Sequence, residues 1–294
     1  MDKKRIKMKS LSSVFKLYLF ILEAYVDVVE ELYHSHFVND IKSYQSIILR
    51  RIVNSLKTLD RMLVVSNDPI SAYGLLRTIA DSICVYCFIY ENDNNQEIEF
   101  RHYLYLLDGC SQFVNDFPQV LINNELIDKT EEDKHNNEYN QEETNLIDFQ
   151  RNLLDYIHNT IIAQTFRRES SIIINRCDWK YRKVSNYTKT ESFNWRDLYE
   201  KAGCDAIMVN FLSSFLSQYV HGLFLSNTKN PNSAVHYSII LDCTISLEKM
   251  LKLAIESCFK EDNIQKLMLN HINLDKFHDL DIDRSCIISF LLNK

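Results

Sequence analysis

The seventeen residues "NFLSSFLSQYVHGLFLS" (210–226) hold no Asp, Glu, Lys or Arg, yet set Asn210, Ser214, Ser217 and His221 among large apolar side chains. At 100° per residue, these four fall within about 60° of one another on a helix. They make an uncharged polar stripe, and leaving such groups unpaired in a core costs about 1–3 kcal/mol each. The stripe therefore needs polar partners, and two other apolar stretches offer them. Arg77 and Asp81 stand four apart among Leu75, Leu76, Ile79 and Ile83, and Arg101, Tyr105, Asp108 and Gln112 form a similar stripe. The spacing predicts a polar seam of Arg77, Asp81, Arg101, Asp108, Ser217 and His221 where three helices meet. Two arginines and a histidine could hold a phosphate or carboxylate there. The structural alternative is a closed network that fixes helix register.

A second candidate is "RNLLDYIH" (151–158). Arg151 and His158 are seven residues apart, on one helical face and about 10 Å apart along the axis. The stretch resembles the HEPN superfamily motif, an Arg, often followed by Asn, Asp or His, with a His four to six residues further on. That resemblance implies an RNA-directed protein in a toxin or defence setting, acting as a dimer that brings two motifs together. Arg151 and His158 would then act on RNA 2′-OH and phosphate, with Asn152 as the polar follower. A third candidate is "RCDWKYRKVSNYTKTESFNWRDLY", in which Trp179, Tyr181, Tyr187 and Trp195 interleave with Arg176, Lys180, Arg182 and Lys183. Aromatic platforms and cations together suit single-stranded RNA. The alternative is a surface connection stapled to the core by its aromatics. Cys84-x-x-Cys87 lacks a second pair at zinc spacing, and no Gly-rich phosphate loop, HExxH or GxSxG occurs. No metal site and no cofactor is expected.

These residues need elements to position them. The chain has 294 residues, 46% hydrophobic and 12% aromatic, enough for a sizeable core. Only 4 Gly and 3 Pro occur, which disfavours a β-sandwich or an α/β fold and favours long helices with few loops. Apolar residues at helical spacing predict helices over 11–37, 40–65, within 66–91, and over 97–116, 145–166, 205–226 and 233–259. Asp68 is the expected N-cap and Pro69 the first helical residue of the third. A short helix is expected from Ser192 or Asn194 to Gly203, and two more near 261–270 and 281–292. "SIIIN" (171–175) suits a short strand. The net charge of −7 is concentrated: nine acids against Lys129 and Lys134 over 125–148 sum to −7 on their own. Residues 129–144 lack an apolar face and are expected to be an exposed loop or linker between helical halves 1–128 and 145–294. Residues 166–189 carry a local excess of +5.

The blocks "LLRTIADSICVYCFIYE", "EFRHYLYLLDGCSQ", "WRDLYEKAG" and "FLSSFLSQYVHG" together resemble a group of bacterial helical proteins of unknown function, over roughly residues 65–225. That resemblance implies that the polar seam is a shared feature, without naming a reaction. The expectation is an all-α, compact bundle of about nine or ten helices, possibly HEPN-like in its arrangement. The function expected is a non-enzymatic interaction or small-anion-binding module, with HEPN-like RNA binding or cleavage as the alternative. Expected partners are RNA, a second copy of the chain or another protein. No uncharged run reaches the ~20 residues that span a bilayer, so no membrane is expected and the location is cytoplasmic.

Overall fold

In the computed structural model the chain is all-α, and residues 10–35, 37–66, 68–116, 128–188, 192–220 and 233–271 are described. It divides into two compact units: unit 1 is residues 1–91 with 195–294, and unit 2 is residues 92–194. The division therefore does not fall at the acidic stretch.

Unit 1 contains α1 (Leu11–Leu32), α2 (Ile41–Arg61), α3 (Pro69–Tyr90), α8 (Trp195–Lys201), α9 (Ala206–Asn210), α10 (Leu216–Val220), α11 (Ser233–Cys258) and α12 (Ile264–His271). Local chemistry starts these helices where the sequence predicts. Ser10 Oγ accepts from the Ser13 amide, and Asp68 accepts from the amides of Ile70 and Ser71 ahead of Pro69. These bonds, Ser71's first, hold the Asp68 carboxyl below its ordinary value. Gly203, at φ +93°, ends α8 with a conformation that favours glycine. The core forms where α1 packs on α2, α11 and α12, and α3 on α2, α8, α10 and α11. Tyr25, Tyr73, Tyr86, Tyr199, Phe15 and Phe259 are fully buried there. By composition α3 would pass for a membrane-crossing helix, but its apolar residues are largely core.

A π-turn, Phe211–Phe215, joins α9 to α10, so the expected helix from 205 is not uniform. The Leu216 amide reaches back to the Phe211 carbonyl, while the Leu212 carbonyl is taken by Arg77. Diverting a backbone acceptor to a side chain is a known cause of such a bulge.

Unit 2 contains α4 (Asn95–Asp116), α5 (Lys129–Asn159), α6 (Ile161–Thr165) and α7 (Arg167–Asn175). Helix α4 packs on α5 and α6, and α6 on α5 and α7. Two expectations need correction here. Residues 129–144 are helix, not loop. Asp128 caps the Thr130 amide, Glu131 and Glu132 occupy the first turn, and Lys134 lies 3.9 Å from Glu138. Acids at the positive end of a helix and an i,i+4 pair favour helix without burial, so the lack of an apolar face misled. The stretch is largely exposed, and the buried residues of α5 are Leu153 and Ile157, near its far end. Residues 171–175 are also helix, not strand. The β-branched run suggests a strand, but Ile173 and Ile174 point into the unit from α7 and Ile172 points out. The helix expected near 281–292 lies outside the described residues.

Candidate functional site

The predicted seam is two separate constellations, one in each unit. In unit 1, Arg77 Nε lies 3.0 Å from the Asp81 carboxylate, one turn on along α3. Its guanidinium also donates to the Leu212 carbonyl and sits 5.2 Å from the centre of the Tyr199 ring. Tyr199 in turn donates its hydroxyl to Asp81. Burial first, then the Asp81 charge, pushes the Tyr199 phenol up.

In unit 2, Arg101 Nε lies 3.2 Å from Glu97, one turn back along α4. Its guanidinium donates to the Trp179 carbonyl at 3.0 Å and stacks 3.9 Å from the centre of the Tyr181 ring. Tyr181 donates its hydroxyl to Glu97. Each arginine thus has a carboxylate, a backbone carbonyl and a tyrosine face, and each acid has a phenol. Such closed networks hold elements in register.

Other seam members fall elsewhere. Asp108 accepts from the Trp179 indole at 3.0 Å and from Gln112 at 2.9 Å. The stripe does not face Arg77, because Asn210 and Ser214 are exposed and Ser217 is half-buried, whereas Val209, Leu212 and Leu216 are buried. His221 lies outside the described residues.

The basic-aromatic segment keeps its cations at the surface but not its platforms. Arg176, Arg182 and Lys183 are exposed and Lys180 is half-buried, whereas Trp179, Tyr181 and Tyr187 are buried. Their polar ends are tied down: Trp179 to Asp108, Tyr181 to Glu97, Tyr187 to Asp178. The Arg182 guanidinium lies 4.5 Å from the centre of the Phe193 ring. Base stacking on Trp179 or Tyr181 is therefore corrected, since neither ring face is free.

The remaining candidates lie on α5. Arg151 and Asn152 are exposed, and Arg151 pairs with Asp148 at 2.8 Å. His158, in the last turn of α5, borders a cleft of about 300 Å³ with Ala163, Gln164, Arg167, Ser170, Ser171 and Ile174. Arg151 is not among its lining residues. The cleft exists because the chain turns sharply twice. Thr160 stops α5, its hydroxyl donating to the Ile157 carbonyl at 2.7 Å and accepting from the Ala163 amide at 3.3 Å. Helix α7 then begins at Arg167, and Ser170 Oγ donates back to the Ala163 carbonyl at 3.2 Å. Phe166 supplies no capping side chain to α7.

His158 is a sequence-predicted residue; Gln164, Arg167 and Ser171 are not. A signal for them existed in the tandem Arg167–Arg168 that begins the +5 stretch just after His158. Among the described residues no group of three or more His, Cys, Asp and Glu could hold a metal ion. No family model, no curated protein and no solved structure matches the chain.

Proposed function

We propose that this protein is a non-enzymatic interaction module that binds a small phosphate-like anion in the cleft of unit 2. The observation that carries this reading is the convergence of His158, Gln164, Arg167 and Ser171 on one concave surface. Arginine and imidazole N–H groups are strong donors to phosphate oxygens. The placement of the arginines adds support. Arg167 and Arg168 occupy the first turn of α7, at the positive end of the helix dipole, with Glu169 as the one acid beside them. A bound anion would offset both the dipole and the two cations. A local conflict of this kind tends to mark a functional position. The two closed arginine networks serve the fold in this reading, since their donors are already committed to protein acceptors.

Titration with inorganic phosphate, followed by the NMR signals of His158 and the α7 amides, tests this. Saturable shifts centred on the cleft are expected. Arg167→Ala should weaken binding about tenfold or more, the loss of one charge-assisted contact. Unchanged affinity in Arg167→Ala, or shifts that never saturate, would overturn the reading.

A second reading is favoured by the shared exposure of Arg151, Asn152 and His158 on α5, with Arg176, Arg182 and Lys183 also at the surface. The anion would then be an RNA phosphodiester, and the protein HEPN-like. RNA cleavage abolished by His158→Ala favours this second reading; cleavage equal to that of the unsubstituted protein removes its catalytic form.

A further inference from the structure

The cleft of unit 2 is larger than a phosphate and is not polar throughout. Its volume is about 300 Å³, that of about ten waters at ~30 Å³ each. A phosphate, at one water volume per heavy atom, fills about half of that space. The lining divides by chemistry. His158, Arg167 and Ser171, all exposed, bring donors. Ala163 and Ile174, both buried, bring an apolar wall. Gln164 donates its side-chain nitrogen to the Asn159 carbonyl at 3.3 Å, which leaves its side-chain oxygen to accept. Ser170 Oγ donates to the Ala163 carbonyl and to the Arg167 carbonyl at 3.3 Å, so it is committed to holding the turn. Among the described residues that line the cleft there is no Phe, Tyr or Trp.

We infer that the ligand of this cleft is a phosphomonoester of a small hydroxylated aliphatic body, a polyol phosphate or a short sugar phosphate. The inference rests on the reading of the cleft as an anion site and adds the part of the ligand that is not phosphate. The phosphate takes the donors of Arg167, His158 and Ser171. The carbon chain lies on Ala163 and Ile174, and a ligand hydroxyl donates to the Gln164 oxygen, an acceptor that a phosphate oxygen cannot use. The volume left beside the phosphate holds one small substituent, which favours a monoester over a diester. A nucleoside is too large for that remainder, and a base would find no aromatic ring on which to stack.

The test compares four probes on the full chain in mildly alkaline buffer, where phosphomonoesters are dianions. These are inorganic phosphate, n-propyl phosphate, glycerol 3-phosphate and uridine 5′-monophosphate, each titrated against the NMR signals of His158 and the α7 amides. Methyl, ethyl and n-propyl phosphate in series should bind progressively tighter, by up to about fourfold for each methylene laid on the apolar wall. Glycerol 3-phosphate should bind severalfold tighter than n-propyl phosphate, the gain of one hydrogen bond. Uridine 5′-monophosphate should bind no tighter than inorganic phosphate. Gln164→Leu, a change at an exposed position, should abolish the preference for glycerol 3-phosphate over n-propyl phosphate.

If inorganic phosphate saturates the cleft but glycerol 3-phosphate binds no tighter, this inference is overturned and the anion site stands. If none of the probes saturates, both are overturned. Tighter binding of uridine 5′-monophosphate than of glycerol 3-phosphate also overturns it, in favour of a nucleic-acid ligand. A preference for glycerol 3-phosphate that survives in Gln164→Leu removes the hydroxyl from the inference, and a flat alkyl series removes the apolar wall.

Discussion

The arginine networks of the two units are built from the same four parts but are not equally closed. Arg101 keeps 6% side-chain exposure and its acid, Glu97, 24%; Arg77 keeps 14% and Asp81 28%. The tyrosine also differs in distance, 3.9 Å from Arg101 and 5.2 Å from Arg77. The carbonyl acceptors differ in kind. Trp179 lies in an irregular segment that has a carbonyl to spare, while Leu212 gives up a helical bond and leaves a π-turn behind. The same chemical solution is thus tighter where the chain is irregular, because a loop can be shaped around a guanidinium and a helix must be distorted to reach it.

If closure decides the energetics, removing the better-closed arginine should cost more. Arg101→Met leaves Glu97, the Tyr181 hydroxyl and the Trp179 carbonyl without their cation and should destabilise by about 3–4 kcal/mol. Arg77→Met, partly screened by solvent, should cost about 2 kcal/mol or less. Chemical denaturation of the two variants makes the comparison directly. A larger loss from Arg77→Met would mean that the π-turn, not burial, sets the cost.

A third acid sharpens the contrast because it lacks both arginine and tyrosine donors. Glu248 on α11 has no side-chain exposure, and neither of its oxygens has a hydrogen-bond partner among the described residues. Burial, with the Asp60 charge second, holds its carboxyl well above the ordinary value of 4.5. The folded chain therefore keeps a proton that the unfolded chain releases above that value. Between the two values unfolding releases a proton, so stability falls as pH rises through this window. Glu248→Met should stabilise by about 1–3 kcal/mol at neutral pH, the cost of burying an unsatisfied polar group. It should also flatten the decline in stability above the usual carboxyl range, as read from melting temperatures across pH. A destabilised variant with the slope intact would mean that Glu248 is satisfied and ionised.

How much of this was legible in the sequence follows the same division. Helix starts were readable because caps are local: Asp68 before Pro69 needs no tertiary context. Arg77 with Asp81 could be recognised as a pair because i,i+4 spacing is fixed by the helix. Their tyrosine could not, since Tyr199 lies 118 residues beyond Asp81 in the chain. For Arg101 the predicted stripe offers Asp108, whereas Glu97, one turn earlier, is the acid that pairs with it. Both acids lie on the same helix, and periodicity alone does not choose between them. Residues 129–144 were misread because their helicity rests on charge placement and capping, which leave no apolar signature. The cleft was half legible. His158 stands out on its helix, but Gln164, Arg167 and Ser171 reach it through two tight turns held by the Thr160 and Ser170 hydroxyls.

The smallest effects should come from the tyrosines, and they separate hydrogen bonding from stacking. Tyr181→Phe and Tyr199→Phe each keep the ring beside the arginine and lose one hydroxyl to a carboxylate. Each carboxylate still has its arginine, so the loss is that of one hydrogen bond, about 1 kcal/mol, well below the loss from the arginine of the same network. Because burial raises both phenols, neither should ionise in the folded protein within the range of an ordinary tyrosine. Ultraviolet titration of the folded protein should therefore show the same phenolate signal near pH 10 in both variants as in the unsubstituted chain. If Tyr181→Phe costs as much as Arg101→Met, the phenol rather than the guanidinium holds Glu97 in place. The nearer stack on Arg101 would then be a consequence of that hydrogen bond and not a cause of closure.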